Sequence, residues 1–344
     1  MNKTYKIIIL ITSIIIALIL AEILLRAFEP KEEVSNLYVK SNNQILGFEL
    51  TKNYISGKQI LLNGKTHYDT DSKDYIKINS EGFRGDEITK TNKSKIVIIG
   101  DSIAFGYNII YKKSFVNVLR KKLPDYQIIN LAVPGYSAIQ ELQILKKAKE
   151  YNPVLIVWQY ALNDPKDLEG FPLTVLSYEE IRDREDAIIQ LLNQSENCQL
   201  KNNLQRSRLL INILNIVEKV TKHHIGLLYH AGYDFEYYHS EPCGKERLQK
   251  VFKELGNKDN PKILVTMFPA VVEYKNYPFY NIHERIKNLS LENNLYYYDT
   301  LDVLKGFSHD QIKISDADEI HFNENTNQVI GLALAKKINE LLVR

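Results

Sequence analysis

Four consecutive β-branched residues, Ile96-Val97-Ile98-Ile99, run straight into Gly100-Asp101-Ser102. An unbroken apolar run bounded by glycine marks a strand covered on both faces, as in a parallel sheet clad in helices. The pattern recurs along the chain. Gln127-Ile-Ile-Asn-Leu-Ala132, Pro153-Val-Leu-Ile-Val-Trp-Gln-Tyr160, Pro261-Lys-Ile-Leu-Val-Thr-Met-Phe-Pro269 and Leu295-Tyr-Tyr-Tyr-Asp299 read as further strands. Stretches of helical character lie between and after them, over 115–122, 139–151, 281–293 and 324–342. Strand, loop and helix in alternation predict an α/β fold, a doubly wound, flavodoxin-like parallel sheet between helices. Ligands collect at the carboxyl ends of such strands. Three successive strands end here in Gly100-Asp101-Ser102, Pro134-Gly135 and Asn163-Asp164.

The chain begins differently. Lys3 and Lys6 precede an apolar segment that runs from Ile7 past Glu22 to Leu25, close to the roughly 20 residues that span a bilayer. Basic residues ahead of it place the N-terminus in the cytoplasm and the remainder outside, although Arg26 and Lys31 weaken the asymmetry. A signal peptide cleaved after Ala21 is the competing reading, and Ile19 fits a small-x-small cleavage site poorly. The expected organisation is a retained transmembrane anchor over 1–29, a stalk with an irregular or β-rich lead-in over 30–90, and the α/β domain over 91–344. Between about 165 and 259 the alternation lapses. Residues 177–192 and 204–220 look helical and 223–244 are rich in His and Tyr, so this stretch is expected to be a helical insertion. In the lead-in, Ile76 to Gly85 reads as a short strand and a turn whose Gly82 and Gly85 permit positive φ. That turn is either an edge hairpin or a substrate-facing loop carrying Arg84.

Composition removes several classes of function. The 44 basic and 42 acidic residues are interleaved and leave a net charge of +2, so nothing supports nucleic-acid binding. Cys198 and Cys243 are the only cysteines, too few for a Cys-rich zinc site, and outside the cytoplasm a bridge between them would tie the insertion together. His223, His224, His230 and His239 are irregularly spaced and lack a metal-site pattern such as H-E-x-x-H. No metal and no cofactor are expected. Tyrosines between Tyr229 and Tyr238 suit either sugar stacking or ordinary half-buried surface.

Ser102 stands where a nucleophile would, at a strand's carboxyl end. A serine hydroxyl needs a base, a group that orients the base and donors for an oxyanion. His321, just ahead of the last helix, has Asp318 three residues before it, a spacing at which a turn can fold the carboxylate onto one imidazole nitrogen. The plain alternative is a helix N-terminal turn capped by Asn323.

Taken together, Gly100-Asp101-Ser102, Gly135, Asn163-Asp164 and Asp318-x-x-His321 resemble the blocks of the SGNH hydrolases, also called GDSL-type esterases and lipases. Ala161 stands where that family's third block has glycine, and no counterpart of its fourth block is recognisable. Asn79 to Arg84 is similar to the segment that precedes the domain in membrane-anchored bacterial members. The resemblance implies Ser102 as nucleophile, His321 as general base and then acid, and Asp318 as its orienting partner. It further implies an oxyanion hole from the Ser102 and Gly135 N–H groups and the Asn163 amide. The expected activity is hydrolysis of acyl esters, acetyl favoured, on cell-envelope or exported polysaccharide. The alternatives are O-acetyl transfer by the same triad, which would need a partner protein to deliver the acyl donor, and a non-catalytic envelope-assembly scaffold.

Overall fold

Every apolar run expected to be a strand between residues 94 and 299 joins one parallel sheet in the computed structural model. The structure describes residues 36–62, 65–165, 178–192, 235–240, 242–315, 318 and 320–343, together with Tyr5, Thr12, Ser13, Ile16, Ala17 and Leu20 near the N-terminus. Strands β7 (Ser94–Ile99), β8 (Tyr126–Asn130), β9 (Leu155–Tyr160), β10 (Ile263–Met267) and β11 (Tyr296–Asp299) lie in the order β8-β7-β9-β10-β11. All four pairings are parallel. This is the flavodoxin-like order, and its direction reverses between β7 and β9, where a crevice opens at the strand ends. The central strands are buried throughout β9 and β10, which is why their sequences run apolar without alternation.

The helices, in chain order, are α1 (Ser102–Phe105), α2 (Phe115–Lys122), α3 (Ala138–Glu150), α4 (Tyr178–Leu192), α5 (Phe235–Ser240) and α6 (Pro242–Leu255), followed by α7 (Tyr280–Glu292), α8 (Leu301–Leu304), α9 (His309–Ile312) and α10 (Glu324–Leu342). Right-handed crossovers place α2 on one face of the sheet and α3, α6 and α7 on the other. The last helix, α10, joins α2. The two meet so closely that a Cβ on Gly331 would lie 2.6 Å from Val118 Cβ and 3.0 Å from the Phe115 carbonyl.

Two stretches depart from the expected organisation. From Leu37 onward the lead-in is not a free stalk: Leu37, Tyr38, Phe48, Leu50 and Phe83 are buried in the same core as the sheet. Its strands are paired as β1 (Tyr38–Lys40) with β2 (Phe48–Leu50), β3 (Ile55–Ser56) with β6 (Ile76–Lys77), and β4 (Gln59–Leu62) with β5 (Lys65–Tyr68). Tyr136 Oη donates to the Phe48 carbonyl at 2.6 Å and Gln140 Nε2 to the Leu46 carbonyl at 2.7 Å, fixing the lead-in to α3 and the loop before it. Gly82 and Gly85 take φ of 93° and 132°, as the turn reading expects. The second departure lies within 165–259. Helix α6 buries Leu248, Val251, Phe252 and Leu255 and packs on α3, so it serves as the crossover into β10.

Cys243 is disulfide-bonded, and the chain's one other cysteine is Cys198. Residues 204–220, His223, His224 and His230 lie outside the described residues. His239 is buried between the Tyr160 hydroxyl and the Phe235 carbonyl, and burial pushes its imidazole down to about 3. Among the described residues no group of three potential metal ligands occurs, and no helix is long and apolar enough to cross a membrane. Most of the segment from Ile7 to Leu25 lies outside them.

Candidate active site

The three strand ends named by the sequence converge at the β7/β9 crevice, and each delivers one partly exposed residue. Ser102, Gly135, Asn163 and His321 are all half-buried, while the residues immediately before and after each of them are buried. That pattern is what a crevice cut into a packed rim requires.

Ser102 opens α1, with Asp101 as its N-cap: Asp101 Oδ1 accepts the Ile103 N–H at 2.9 Å. A cap of this kind satisfies a helix-end donor and fixes where the first turn begins. Arg84 holds the other end of the same turn. Its guanidinium donates to the carbonyls of Phe105, at 3.0 Å, and Gly106, and to that of Tyr75 at 2.9 Å, and it lies 4.7 Å from the centre of the Phe105 ring. Arg84 is buried, so it clamps the turn that carries Ser102 and does not face the crevice. Burial lowers its guanidinium to about 10, which leaves it charged at neutral pH.

His321 Nε2 lies 2.7 Å from Ser102 Oγ, across 219 residues of chain. Its Nδ1 lies 2.9 Å from Asp318 Oδ2 and 3.0 Å from Oδ1. Asp318 Oδ1 also accepts the backbone N–H groups of Ile320 and His321, at 3.1 and 2.9 Å. Burial alone would raise the Asp318 carboxyl, but the bond and charge of His321 with these two N–H groups outweigh it and hold the carboxyl below its ordinary range. An ionised Asp318 on Nδ1 fixes the imidazole tautomer that presents Nε2 as acceptor to the serine hydroxyl. The capping reading holds at the same time, since Asn323 Oδ1 accepts the Thr326 N–H at 3.0 Å. One turn thus starts α10 and aims His321.

The expected oxyanion donors lie just beyond β8 and β9, the two neighbours of β7 in the sheet. Gly135 has φ 84°, in the turn after β8. Within the described residues neither its N–H nor that of Ser102 donates to a protein acceptor. Asn163 Nδ2 donates one hydrogen to Asp101 Oδ2 at 3.2 Å, leaving its second for a ligand.

Sequence reasoning passed over three residues around this centre and placed a fourth differently. Gln159 Oε1 accepts the N–H groups of Asp101 and Ala104, both at 3.1 Å, from within β9. Glu141, on α3, takes the indole N–H of Trp158 at 2.6 Å. Their signal was a polar side chain at a position whose neighbours demand burial. In the sequence Arg84 reads as part of an edge hairpin or of a substrate-facing loop. Tyr107, 39% exposed, sets its ring 5.2 Å from that of His321 and walls one side of the crevice.

No family model matches the chain, and no curated protein does. Solved structures do. One is a carbohydrate acetylesterase family member from Sinorhizobium meliloti, 13% identical over 73% of this chain and 100% of that one, at a TM-score of 0.37. A second is the psychrotrophic esterase EstA from Pseudoalteromonas, 16% identical over 73% and 100%, at 0.40. A third, from Veillonella parvula, is described as a member of the lipolytic protein G-D-S-L family, 14% identical over 71% and 97%, at 0.36. At these values the functional reading has to come from the chain's own residues.

Proposed function

We propose that this chain is a serine esterase of the SGNH type. The observation that carries the reading is the 2.7 Å contact of His321 Nε2 with Ser102 Oγ, with Asp318 on the opposite imidazole nitrogen. In this geometry His321 takes the hydroxyl proton as Ser102 attacks the ester carbonyl. The developing oxyanion meets the N–H groups of Ser102 and Gly135 and the free hydrogen of the Asn163 amide. His321 then protonates the departing alcohol, and a water activated by the same imidazole releases the acid from acyl-Ser102.

The preferred substrate is a short acyl ester, acetyl above all, on an envelope or exported polysaccharide. A half-exposed rim suits a small acyl group, and the apolar segment behind Lys3 and Lys6 supports a membrane-tethered, extracytoplasmic domain. The named acetylesterase and esterases keep company with this reading without carrying it.

Labelling the protein with a fluorophosphonate and mapping the modified peptide tests the core of the proposal. Adduct on Ser102 that vanishes in Ser102→Ala and His321→Ala is the expected result; an unlabelled, folded protein refutes it and returns the scaffold alternative. Acetate release from acetylated glycans, set against release from long-chain acyl lipids, tests the substrate. Acetyl groups appearing on an acceptor glycan, with no acetate released, would turn the reading to a transferase.

A further inference from the structure

Beneath Asn163 lies a set of buried polar groups that ester hydrolysis does not use. Asp101, Glu141 and Asp164 are 0%, 1% and 1% exposed. Asp101 is satisfied as a carboxylate, since one oxygen accepts from Ile103 N–H and the other from the Asn163 amide. The other two are satisfied on one side only. Glu141 Oε2 accepts from Trp158 Nε1 at 2.6 Å and Asp164 Oδ2 from the Ala161 N–H at 2.8 Å, while Glu141 Oε1 and Asp164 Oδ1 have no hydrogen-bond partner. Asn163 Oδ1 and Gln159 Nε2 are unpartnered as well.

The donor count is short. Three oxygens, on Glu141, Asp164 and Asn163, lack a donor, and ionised carboxylates can only accept. A protonated carboxyl turns one of those acceptors into a donor. Charge makes the same demand. Among the described residues no Lys or Arg pairs with any of the three acids. The groups facing them are Trp158, Gln159 and Tyr160 from β9, His321 above Asp101, and, beyond Tyr160, His239 and Arg285. Three carboxylates so placed cannot all stay ionised. Burial, and then the neighbouring carboxylates, push both Glu141 and Asp164 well above the ordinary range. Burial raises the Asp101 carboxyl as well, but its two donors and the charge of His321 oppose the rise, so it is the member best equipped to keep its charge. The backbone closes the corner, because the Asp164 carbonyl accepts the N–H of Ala138, one turn ahead of Glu141 on α3.

We propose that Glu141 and Asp164 hold one proton between them, and that this neutral acid-to-carboxylate link under Asn163 positions its amide for the oxyanion. The inference rests on the esterase reading for what the amide does, and on the buried cluster alone for the proton. Glu141 and Asp164 are positioning residues and touch no substrate.

Infrared spectra of the full chain test the proton, and the rate of fluorophosphonate labelling at Ser102 tests the positioning. The wild type should show the carbonyl stretch of a protonated carboxylic acid at neutral pH, lost or shifted in Glu141→Gln or in Asp164→Asn. Glu141→Gln, whose amide can donate as the neutral acid does, should label within about threefold of wild type. Glu141→Ala should label about tenfold or more slowly, short of the roughly 10²–10³ lost with an oxyanion donor itself. A wild type without that band, or a band unchanged in both variants, overturns the shared proton. A responsive band with Glu141→Ala labelling at the wild-type rate overturns the positioning role. If Glu141→Ala does not fold, the labelling rate of Glu141→Leu, which fills the space but offers no polar group to Asp164, decides in its place: labelling about tenfold or more below Glu141→Gln supports positioning, an equal rate refutes it. A wild type that carries the band yet never labels refutes the esterase reading and the positioning with it, while the shared proton stands.

Discussion

Two carboxyl settings flank the same serine and behave in opposite ways. Asp318, half-buried at the rim, meets an imidazole and two backbone N–H groups and sits below the ordinary range for a carboxyl. Glu141 and Asp164, sealed beneath the rim with orphan oxygens, sit well above it. Donor supply decides the difference. At the rim a turn delivers backbone hydrogens and a base to one carboxylate; in the core three acids compete for an indole, a few amides and no cation. On the proposed reading, one site holds a fixed negative charge beside the imidazole and a neutral acid where only shape is needed.

The upper setting breaks first. On the esterase reading, replacing His321 by Ala removes the proposed base, and turnover of an acetyl ester should fall by about 10⁶-fold while the folded chain still binds substrate, as steady-state kinetics would show. Asp318→Asn keeps the shape but takes away the charge that fixes the tautomer. Its kcat should drop by roughly 10⁴-fold, with KM little changed. A drop of less than tenfold would mean that the Asp318 contact only starts α10. Asn163→Ala joins the two settings, because its amide bonds Asp101 below and faces the crevice above. A loss of about 10²–10³ in kcat is expected from one oxyanion donor. Equal losses in kcat and in thermal stability would instead make Asn163 a packing residue.

How much of this was legible depended on the distance over which each residue acts. Central strands announced themselves because burial on both faces removes alternation, and α2 and α10 keep the bounds 115–122 and 324–342 that their pattern predicts. Ser102, Asp318 and His321 were legible as pieces because each occupies a local motif, although only the fold brings positions 102 and 321 within 2.7 Å. The lead-in was legible only as β-rich with a strand and turn from Ile76, for a physical reason: its strands are two to four residues long, too short for a period to show, and its stability comes from contacts such as Tyr136 with Phe48. The role of Arg84 was opaque in the same way, two of its three acceptors lying 21 and 22 residues downstream. Glu141 and Gln159 were hidden by their chemistry, since a polar residue reads as surface until the packing around it is known.

The smallest effect separates the two settings by pH alone. Asp318 has its pKa depressed on folding, so the stability it contributes is present above its unfolded value of about 4 and is lost as pH falls through the lower folded value. Glu141 and Asp164 have theirs raised: the unfolded chain releases protons that the folded chain keeps, so stability falls as pH rises above about 4, until the folded groups ionise in turn. The wild-type stability curve is thus eroded on its acid side by the rim and on its alkaline side by the core. Glu141→Gln removes a titrating group from the core and leaves the rim intact. Its Tm should be close to wild type near pH 4 and higher at pH 8, by about 2–4 °C for each kcal/mol recovered, with the acid limb unchanged. Asp318→Asn should do the reverse, flattening the acid limb and leaving the alkaline one. Parallel curves for all three proteins would show that the two carboxyl settings do not differ in the way their surroundings require.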